Sequence, residues 1–289
     1  MEHFDILIIG AGAAGIAAAK AAYDAGCESI LLADRKERKG GVLLQCAHPG
    51  FGSGLSGPEY TEKLLLDFPA AVTWRPNTTV LSVSEAKTAE LSDPELGLQI
   101  ITFEQLILAT GCLEIPLGAL PIAGTRPKGI YTAGQMQEMM NLHGILPDGP
   151  AVILGSGDLG LIMAKQLAQA GLSVTLVEQR PNCGGMARNQ KCLKEHPISL
   201  LCNTTITEVF GEKHIEGVTT SCGMFLPCRT LLIAAGLRPD RELLHGLGTP
   251  GWLHLCGNCN RVHPMVEAVV SEGKQAAIEA VRQISGQNR

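Results

Sequence analysis

The sequence contains no cluster of lysine and arginine, and charged residues of both signs make up only 18% of its 289 residues. With 23 basic and 28 acidic residues the formal net charge is −5, so we expect neither a nucleic-acid-binding surface nor an anionic-membrane surface. The low charge and the hydrophobic content of 45% also exclude intrinsic disorder. The length is enough for about two folded domains of ordinary size.

No apolar run reaches the roughly 18 residues that a membrane-spanning helix requires, which predicts a protein without an integral membrane segment. The apolar stretch 4–10 is short, and Glu2 and Asp5 stand where a signal peptide carries positive charge. The chain has 10 cysteines at irregular positions and is long enough to be stabilised by burial alone. Because such cysteines are typically reduced and buried, we expect a cytoplasmic protein.

Glycine is abundant, with 34 residues, and it is concentrated in two similar segments. In each segment an apolar strand runs into a Gly-x-Gly-x-x-Gly turn, at residues 10–15 and again at 155–160. A helix rich in alanine or leucine follows, and then a second apolar strand ends in an acid, Asp34 or Glu178. Each segment therefore predicts a βαβ unit of about 30 residues whose parallel strands are buried on both faces.

A glycine turn of this kind is typical of dinucleotide-binding proteins. The first glycine permits a tight bend, the second lets the backbone approach a pyrophosphate, and the third lets the helix pack closely on the strand. Free N–H groups at the start of the helix bind the phosphates, and the acid binds a ribose through its hydroxyls. Asp34 follows Gly15 by 19 residues and Glu178 follows Gly160 by 18, so the sequence predicts two dinucleotide sites.

The acid of the second unit also indicates which nicotinamide cofactor binds. The Glu178 carboxylate would accept a hydrogen bond from the 2′-hydroxyl of NAD and repel the 2′-phosphate of NADP. Arg180 lies two residues further on and would soften this preference. We therefore expect NAD(H), and NADP(H) stays open as the alternative.

Two further apolar strands, which end at Gly111 and Gly236, close the two dinucleotide folds. With them, nearly the whole chain resembles the FAD-dependent pyridine nucleotide-disulfide oxidoreductase superfamily in its thioredoxin reductase-like two-domain form. Segments 40–52, 55–60 and 155–164 look like the small NAD(P)/FAD-dependent oxidoreductase subunits associated with anaerobic glycerol-3-phosphate dehydrogenase-like or amine/proline dehydrogenase complexes. The resemblance implies an α/β fold of two Rossmann-like domains with parallel sheets.

The same resemblance implies that the NAD domain is inserted into a split FAD domain. The predicted FAD-binding domain comprises residues 1–116 and 242–289, and the predicted NAD(P)-binding domain comprises residues 117–241. A Pro/Gly-rich stretch, 116–129, is predicted to connect the two domains. A last strand is predicted over 252–256, followed by a helix over about 264–284.

The resemblance also implies which residues bind the cofactors. For FAD they lie in the first glycine turn, after the second strand, in the adjoining strands and near the C-terminus: Gly10, Gly12, Ala13, Ala14, Gly15, Asp34, Arg35, Gly40, Gly41, Val42, Val80, Thr110, Gly111, Gly257, Asn258, Pro264 and Met265. For NAD(P) they lie in the second unit: Gly155, Ser156, Gly157, Asp158, Leu159, Glu178 and Gly236. The helix after Pro264 would direct its N-terminus at the flavin pyrimidine edge, where its dipole stabilises reduced flavin.

The sequence lacks the redox disulfides of two branches of this superfamily. Only Cys46 follows the Gly40-Gly41 pair, where the lipoamide and glutathione reductase branch has Cys-x4-Cys, and the predicted NAD(P) domain has no Cys-x-x-Cys. The one pair of that spacing, Cys256 and Cys259, is predicted to be buried, with a redox role left open. No metal site is expected.

Cys46 and His48 are the candidate catalytic residues, because the loop after Gly41 lies over the flavin in this superfamily. His48 would donate or relay a proton when flavin N5 exchanges a hydride, with Cys46 packed nearby. The alternative is that both residues only shape the flavin pocket. His263 presents the same two interpretations.

These observations predict a flavoprotein oxidoreductase that transfers a hydride between NAD(P)H and FAD and passes electrons to or from a partner dehydrogenase subunit. Three alternatives stay open. They are a self-contained NADH oxidase or disulfide reductase, an amine or 2-hydroxy-acid dehydrogenase subunit that binds its own substrate, and a non-catalytic FAD-bound assembly subunit. The small-molecule substrate, the final electron acceptor and homo-oligomer formation are undecided.

Overall fold

A computed structural model describes residues 1–287 and divides the chain into two compact units. The first unit comprises Met1–Leu113 and the segment that begins at Arg238, and the inserted unit comprises Glu114–Leu237. The boundaries predicted above, at 117 and 242, fall three and four residues after these. Residues 288 and 289, at the end of the predicted last segment, lie outside the described residues.

The elements follow one another in chain order. The first segment holds β1 (Glu2–Ile9), α1 (Ala13–Asp24), β2 (Ile30–Ala33), α2 (Gly57–Leu65), β3 (Thr73–Arg75), β4 (Thr79–Val83), β5 (Thr88–Asp93), β6 (Gly97–Leu108) and β7 (Cys112–Glu114). The inserted segment holds β8 (Ala123–Gly124), β9 (Ile130–Thr132), α3 (Ala133–His143), β10 (Ala151–Leu154), α4 (Asp158–Gln169), β11 (Val174–Val177), α5 (Ala187–Gln190), α6 (Cys192–Glu195), β12 (Ile198–Leu201), β13 (Ile206–Phe210), β14 (Gly217–Thr220), β15 (Phe225–Pro227) and β16 (Thr230–Ile233). The chain ends with β17 (Leu237–Pro239), β18 (Leu253–Leu255) and α7 (Val266–Gln287).

The first unit is built on a mixed sheet in the order β3-β2-β1-β6-β5-β4, with β18 also paired to β6. Strands β3, β2, β1, β6 and β18 run parallel, whereas β4 and β5 are antiparallel additions at one edge. Ile6, Leu7 and Ile8 of β1 are all fully buried, because the sheet is covered on both faces. The predicted first βαβ unit is thereby confirmed as β1-α1-β2.

Two helices, α1 and α7, cover one face of this sheet. Alanines of α1 and of α7 pack with Ile6 and Ile8 in one apolar cluster. The helices approach closely because α7 has glycine at position 273, where an added Cβ would stand 2.2 Å from the carbonyl oxygen of Ala14. The predicted last strand and last helix are therefore confirmed as β18 and α7.

The inserted unit has a parallel sheet in the order β12-β11-β10-β16-β9, which confirms the second βαβ unit as β10-α4-β11. A smaller sheet, in the order β15-β14-β13-β8, packs against it through a core that contains Ile206, Val209 and Val218. The stretch 116–129 belongs to this unit and is more than a connection, since Leu117 and Ile122 are buried in the same core. Within residues 1–287, no helix combines the length and the apolar character needed to cross a membrane.

Candidate dinucleotide-binding sites

The first glycine turn joins β1 to α1, and at each of its glycines the absence of a side chain leaves room for a different group. Gly10 has a φ of +101°, and a Cβ there would stand 2.4 Å from the carbonyl oxygen of Ala109. A Cβ at Gly15 would stand 1.8 Å from the carbonyl oxygen of Gly10, so the helix can approach the strand only without a side chain. A Cβ at Gly12 would meet open space, which is the space that a pyrophosphate needs.

The start of α1 is available to an anion. Gly12 is the N-cap residue, and within the described chain no side chain caps the helix. The first N–H groups of the helix, at Ala13 and Ala14, therefore combine with the positive end of the helix dipole as a phosphate-binding site. These predicted residues lie together at one corner of the sheet.

Asp34, at the end of β2, is held toward this turn by two backbone donors. Its Oδ2 accepts the N–H of Ala11 at 2.6 Å, and its Oδ1 accepts the N–H of Lys36 at 2.8 Å. A carboxylate has about four lone-pair positions, so two of them stay open for ribose hydroxyls. The neighbouring Arg35 is exposed to solvent.

The glycine pair after β2 closes the first turn from the other side. The N–H of Gly40 donates to the carbonyl oxygen of Ala11 at 2.8 Å, and a Cβ on Gly41 would stand 3.0 Å from the Cα of Gly12. Val42 follows with 61% of its surface exposed. We call Gly10–Gly15, Asp34 and Gly40–Gly41 the first cradle.

The C-terminal residues predicted to bind FAD adjoin the first cradle. A Cβ on Gly257 would stand 2.9 Å from the Cβ of Ala14, and the N–H of Gly257 donates to Glu272 Oε2 at 2.9 Å. Asn258 Oδ1 accepts the N–H of His263 at 3.0 Å, and the His263 ring lies 2.8 Å from Glu272 Oε1. Pro264 and Met265 then lead directly into α7.

The strands next to the first cradle are fixed by polar contacts as well as by packing. The Thr110 hydroxyl donates to the carbonyl oxygen of Asp240 at 2.7 Å, and Gly111, with a φ of +83°, accepts the N–H of Asp240. The side chain of Val80 is buried in the apolar core on the face of the sheet opposite α1 and α7. Only the backbone of Val80 is therefore left to meet a ligand.

The second glycine turn, between β10 and α4, repeats the first. Gly155 has a φ of +105°, and its Cβ would stand 2.4 Å from the carbonyl oxygen of Ala234. A Cβ on Gly160 would stand 2.2 Å from the carbonyl oxygen of Gly155, whereas Gly157 again faces open space. Helix α4 starts at Asp158, followed by Leu159, and among the described residues no side chain caps its N-terminus. Gly236, by contrast, packs near Ile115 at the end of the closing strand.

Glu178 lies at the end of β11 with only 4% of its surface exposed. Burial by itself raises the pKa of Glu178. The pKa is nevertheless lowered to about 2 by hydrogen bonds from the Ser156 hydroxyl, from the backbone N–H groups of Arg180 and Ser156, and from the Arg180 guanidinium. Glu178 is therefore ionised at neutral pH. A negative charge in this place favours a ribose diol over a phosphate.

The repeat extends beyond the residues predicted from the sequence. Gly184 and Gly185 follow Glu178 at the same spacing at which Gly40 and Gly41 follow Asp34. The N–H of Gly184 donates to the Ser156 hydroxyl at 2.9 Å, and a Cβ on Gly185 would stand 3.2 Å from the backbone nitrogen of Asp158. Aligning the two units on their acids would have found this pair. We call Gly155–Gly160, Glu178 and Gly184–Gly185 the second cradle.

The family model described as pyridine nucleotide-disulphide oxidoreductase matches residues 4–251. This chain belongs to the pyridine nucleotide-disulphide oxidoreductases. The family uses FAD and NAD(P)H, and both cradles suit these cofactors in glycine placement, helix start and acid.

Two curated relatives of this oxidoreductase are named as subunits of larger enzymes. An opine oxidase subunit of Agrobacterium tumefaciens (strain Ach5) is 27% identical over 86% of this chain and 55% of its own length. The hydrogen cyanide synthase subunit HcnB of Pseudomonas protegens is 29% identical over 84% of this chain and 58% of its own length. The chain thus spans somewhat more than half of each of these relatives.

The fold of the oxidoreductase is that of thioredoxin reductase. The crystal structure of the T. acidophilum thioredoxin reductase superposes with a TM-score of 0.81 at 20% identity, over 98% of this chain and 99% of that chain. At this identity the likeness concerns the fold alone. It agrees with the two-domain Rossmann-like architecture predicted from the sequence.

The candidate catalytic residues of the oxidoreductase occupy the loop between Gly41 and α2. Cys46 is buried, donates to the carbonyl oxygen of Val42 at 3.3 Å, and has its pKa raised to about 12 by burial. The His48 ring lies 5.4 Å from the ring of Phe51. A thiol with so high a pKa is protonated at neutral pH, which agrees with the prediction that Cys46 packs near His48.

The pair Cys256 and Cys259 is fully buried. Both thiols donate to the same carbonyl oxygen, that of Leu108, at 3.7 and 2.9 Å. Burial is the largest cause that raises the pKa of each thiol. Neither thiol is therefore accessible or ionised in the way that disulfide exchange requires. In residues 1–287, no group of three or more His, Cys, Asp and Glu side chains is placed to hold a metal ion.

Proposed function

We propose that this chain transfers a hydride between NADH, bound by the second cradle, and FAD, bound by the first, and exchanges the electrons with a partner dehydrogenase subunit. The repetition of the cradle supports the two-cofactor part of the proposal most directly. Each copy has an open central glycine and an uncapped helix start beside a fixed carboxylate. When bound, FAD supplies the hydride chemistry, and the protein supplies position and electrostatics.

The residues of the first unit have defined tasks in this proposal. The N–H groups of Ala13 and Ala14 hold the pyrophosphate, and Asp34 holds the ribose hydroxyls. Met265, before α7, offers the first N–H donor to the flavin pyrimidine edge, where the helix dipole stabilises negative charge. Glu267 of α7 accepts the N–H of Gly52 at 3.1 Å, which ties the loop of His48 to the start of this helix.

In this proposal, His48 donates or relays a proton when flavin N5 exchanges a hydride. Its loop is anchored at α7 through Gly52 and packed through Phe51, whose ring lies 6.3 Å from that of Tyr60. This anchoring would keep an imidazole in one place during proton transfer. Cys46 shapes the same loop by packing.

The burial of Cys256 and Cys259 disfavours the alternative of a self-contained disulfide reductase. The names of the relatives, which are subunits of an opine oxidase and of a hydrogen cyanide synthase, agree better with electron transfer between subunits. The existence of a partner subunit that acts on an organic substrate is part of this proposal.

The first test is anaerobic stopped-flow absorbance of the FAD-loaded chain, mixed separately with NADH and NADPH. Bleaching of the flavin by NADH, faster than by NADPH, is the expected result because Glu178 favours a 2′-hydroxyl. A flavin that neither nucleotide bleaches would contradict hydride transfer and favour a substrate-side or assembly role. Replacing Cys256 and Cys259 together by serine should leave the bleaching rate unchanged.

The two cradles can be tested separately through Gly12 and Gly157. Both have open space around the missing side chain and φ values of −76° and −63°, so a valine fits the fold but fills the place of the phosphates. We expect Gly12→Val to weaken FAD binding at least about 100-fold by fluorescence titration. Gly157→Val should keep FAD and lose bleaching by NADH.

Matched controls exist in each unit. Gly251 and Gly118 also face open space without a positive φ, but they lie outside the cradles. Gly251→Val and Gly118→Val should leave both measurements unchanged. If these controls behaved like the cradle variants, the effects would reflect folding and the assignment of the cradles would fail.

A further inference from the structure

One carboxylate on α7 holds the segment that precedes this helix. Glu272 Oε2 accepts the N–H of Gly257 at 2.9 Å and lies 3.4 Å from the side-chain nitrogen of Asn260. The other oxygen, Oε1, lies 2.8 Å from Nε2 of His263. These three donors belong to residues 257–263, which we call the C-terminal turn. Because Glu272 lies well inside α7, the C-terminal turn is folded back along the helix that follows it.

The other two acids of α7 have different partners. Glu267 accepts the N–H of Gly52, and Glu279 accepts the side-chain amide of Gln275 on the same helix at 2.7 Å. Burial raises the pKa of Glu272, but the hydrogen bonds from the C-terminal turn lower it, and the net pKa lies below its ordinary value. Glu272 is therefore ionised at neutral pH, and hydrogen bonds to an ionised acceptor are stronger than those between neutral groups.

The imidazole of His263 is enclosed by the protein. Its side chain is only 5% exposed, and the ring contacts the Glu272 carboxylate. The backbone N–H of the same residue donates to Asn258 Oδ1 at 3.0 Å, so Glu272 fixes His263 and His263 fixes Asn258. An enclosed imidazole that is committed to a carboxylate is poorly placed to exchange a proton with a ligand. Of the two interpretations of His263, this geometry favours the one in which the residue shapes the site.

The C-terminal turn and α7 both meet the first cradle at Ala14. Gly257 has a φ of +67°, and a Cβ there would stand 2.9 Å from the Cβ of Ala14. A Cβ on Gly273 would stand 2.2 Å from the carbonyl oxygen of Ala14. Glu272 and Gly273 are neighbours on α7, so one point of the helix holds the C-terminal turn and also packs on the start of α1. A disturbance of Glu272 is therefore transmitted to the first cradle.

We propose that Glu272 is a positioning residue for FAD, which it affects only through its neighbours. Its carboxylate holds the C-terminal turn, and with it Asn258 and the residues that lead into α7, in one arrangement against the first cradle. This inference rests on the proposed function, in which the first cradle binds FAD. A helix N-terminus held in one direction stabilises negative charge on reduced flavin. Glu272 therefore influences both the affinity for FAD and the reduction potential of the bound flavin.

The first measurement is fluorescence titration of the full FAD-free chain with FAD. Glu272→Ala leaves three donors without their acceptor, so we expect the dissociation constant of FAD to rise at least about tenfold. Glu272→Gln keeps an oxygen for the Gly257 N–H, and the rise should be smaller, about threefold. Glu279→Ala is the matched control, because it removes the same charge from an exposed position of the same helix. The control should leave the dissociation constant unchanged.

The second measurement separates positioning from stabilisation of the fold. A residue that only stabilises the fold changes no property of the flavin once FAD is saturating. We therefore measure the two-electron reduction potential of the FAD-saturated protein against a reference dye without oxygen. Glu272→Ala should shift the equilibrium constant at least about threefold toward oxidised flavin, which is about 14 mV for a two-electron couple. Glu279→Ala should leave the potential unchanged.

A double variant tests whether Glu272 acts through His263. If the two residues work as a unit, Glu272→Ala combined with His263→Ala should bind FAD within about twofold of Glu272→Ala alone. Effects of the two single variants that add would mean independent roles and would contradict the proposal. If Glu272→Ala did not fold, Glu272→Gln and His263→Ala would carry the same two measurements.

Each outcome decides the proposal. Weaker FAD binding together with a lower potential in Glu272→Ala, and neither in Glu279→Ala, would support it. An unchanged potential in Glu272→Ala, or equal changes in Glu279→Ala, would overturn it and leave the proposed function intact, because the wild-type chain would still bind FAD and be bleached by NADH. If the wild-type chain did not bind FAD, the proposed function itself would be wrong, and the inference with it.

Discussion

Glu178 links the chemistry of the second cradle to the stability of the inserted unit. Its pKa is lowered from the ordinary 4.5 to about 2 by the hydrogen bonds that outweigh its burial. A carboxylate with a depressed pKa stabilises the fold above its unfolded pKa, and this contribution is lost as the pH falls through the folded pKa. This lowering of the Glu178 pKa corresponds to about 3 kcal/mol in the free energy of unfolding at neutral pH.

We expect Glu178→Gln to lower the urea midpoint of the unliganded protein at pH 7 and at pH 5. The deficit should narrow as the pH falls from 4.5 towards about 2, because the carboxylate of the unfolded wild-type chain then takes up a proton while the folded carboxylate stays ionised, which favours unfolding. Urea unfolding followed by circular dichroism at several pH values measures this. Glu242, in an exposed pair with Arg238, provides the control: Glu242→Gln should change the midpoint little at any pH. A deficit independent of pH would show that the charge of Glu178 is not the cause.

At the scale of elements, the contact between α1 and α7 depends on one missing side chain. Exchanging glycine for alanine in a helix normally stabilises it by about 0.5–1 kcal/mol. At Gly273 the added Cβ would stand 2.2 Å from the carbonyl oxygen of Ala14, so α7 would have to move away from the start of the first cradle. Overpacking of this kind costs about 1–3 kcal/mol.

Gly273→Ala should therefore lower the melting temperature and weaken FAD binding together. Gly286 lies on the same helix with open space around it, so Gly286→Ala should leave the melting temperature unchanged or raise it slightly. Differential scanning fluorimetry and FAD fluorescence titration measure the two effects. A destabilised Gly286→Ala would mean that helix geometry, and not the contact with α1, explains the result.

At the scale of the whole molecule, the inserted unit has the properties of an independent domain. It is one continuous segment, Glu114–Leu237, with its own apolar cores on both faces of its parallel sheet. Its ends are held together, since the N–H of Ile115 donates to the carbonyl oxygen of Gly236 at 3.1 Å. Domains with adjacent termini commonly fold alone.

We expect the excised segment 114–237 to fold cooperatively and to bind NAD⁺ without FAD. Cooperative thermal unfolding by circular dichroism and dispersed amide resonances measure the folding, and calorimetry measures the binding. The same segment with Gly157→Val should fold equally well and not bind. An excised segment without a cooperative transition would contradict the independence of its core.

Much of this architecture follows from local patterns in the sequence. Buried parallel strands such as Ile6–Ile9 are continuous apolar runs, and glycine turns have fixed spacing, so both βαβ units were predictable. The small sheet β8 with β13–β15 was not, because its strands are short and β8 has only two residues. Proline and glycine in 116–129 mark turns but do not reveal that Leu117 and Ile122 between them are buried.

The glycines and acids of the candidate sites were predictable from the sequence, because they stand at fixed distances along the chain. The hydrogen-bond partners of Glu178 were not predictable, because Ser156 reaches it through the pairing of β10 with β11 and the Arg180 guanidinium reaches it through a particular side-chain rotamer. Gly184 and Gly185 could have been predicted, since their spacing from Glu178 repeats that of Gly40 and Gly41 from Asp34. The segment 183–190 has no apolar period that would have indicated its role.

The shared acceptor of Cys256 and Cys259 has a practical consequence. Sulfhydryl groups absorb infrared light in a window where the rest of the polypeptide is nearly transparent, and the frequency falls as the hydrogen bond shortens. Two sheltered S–H oscillators report on the Leu108 carbonyl, at the end of β6 and next to the Gly257 turn. The protein thus carries an intrinsic vibrational probe beside the first cradle, through which cofactor loading could be followed without any label.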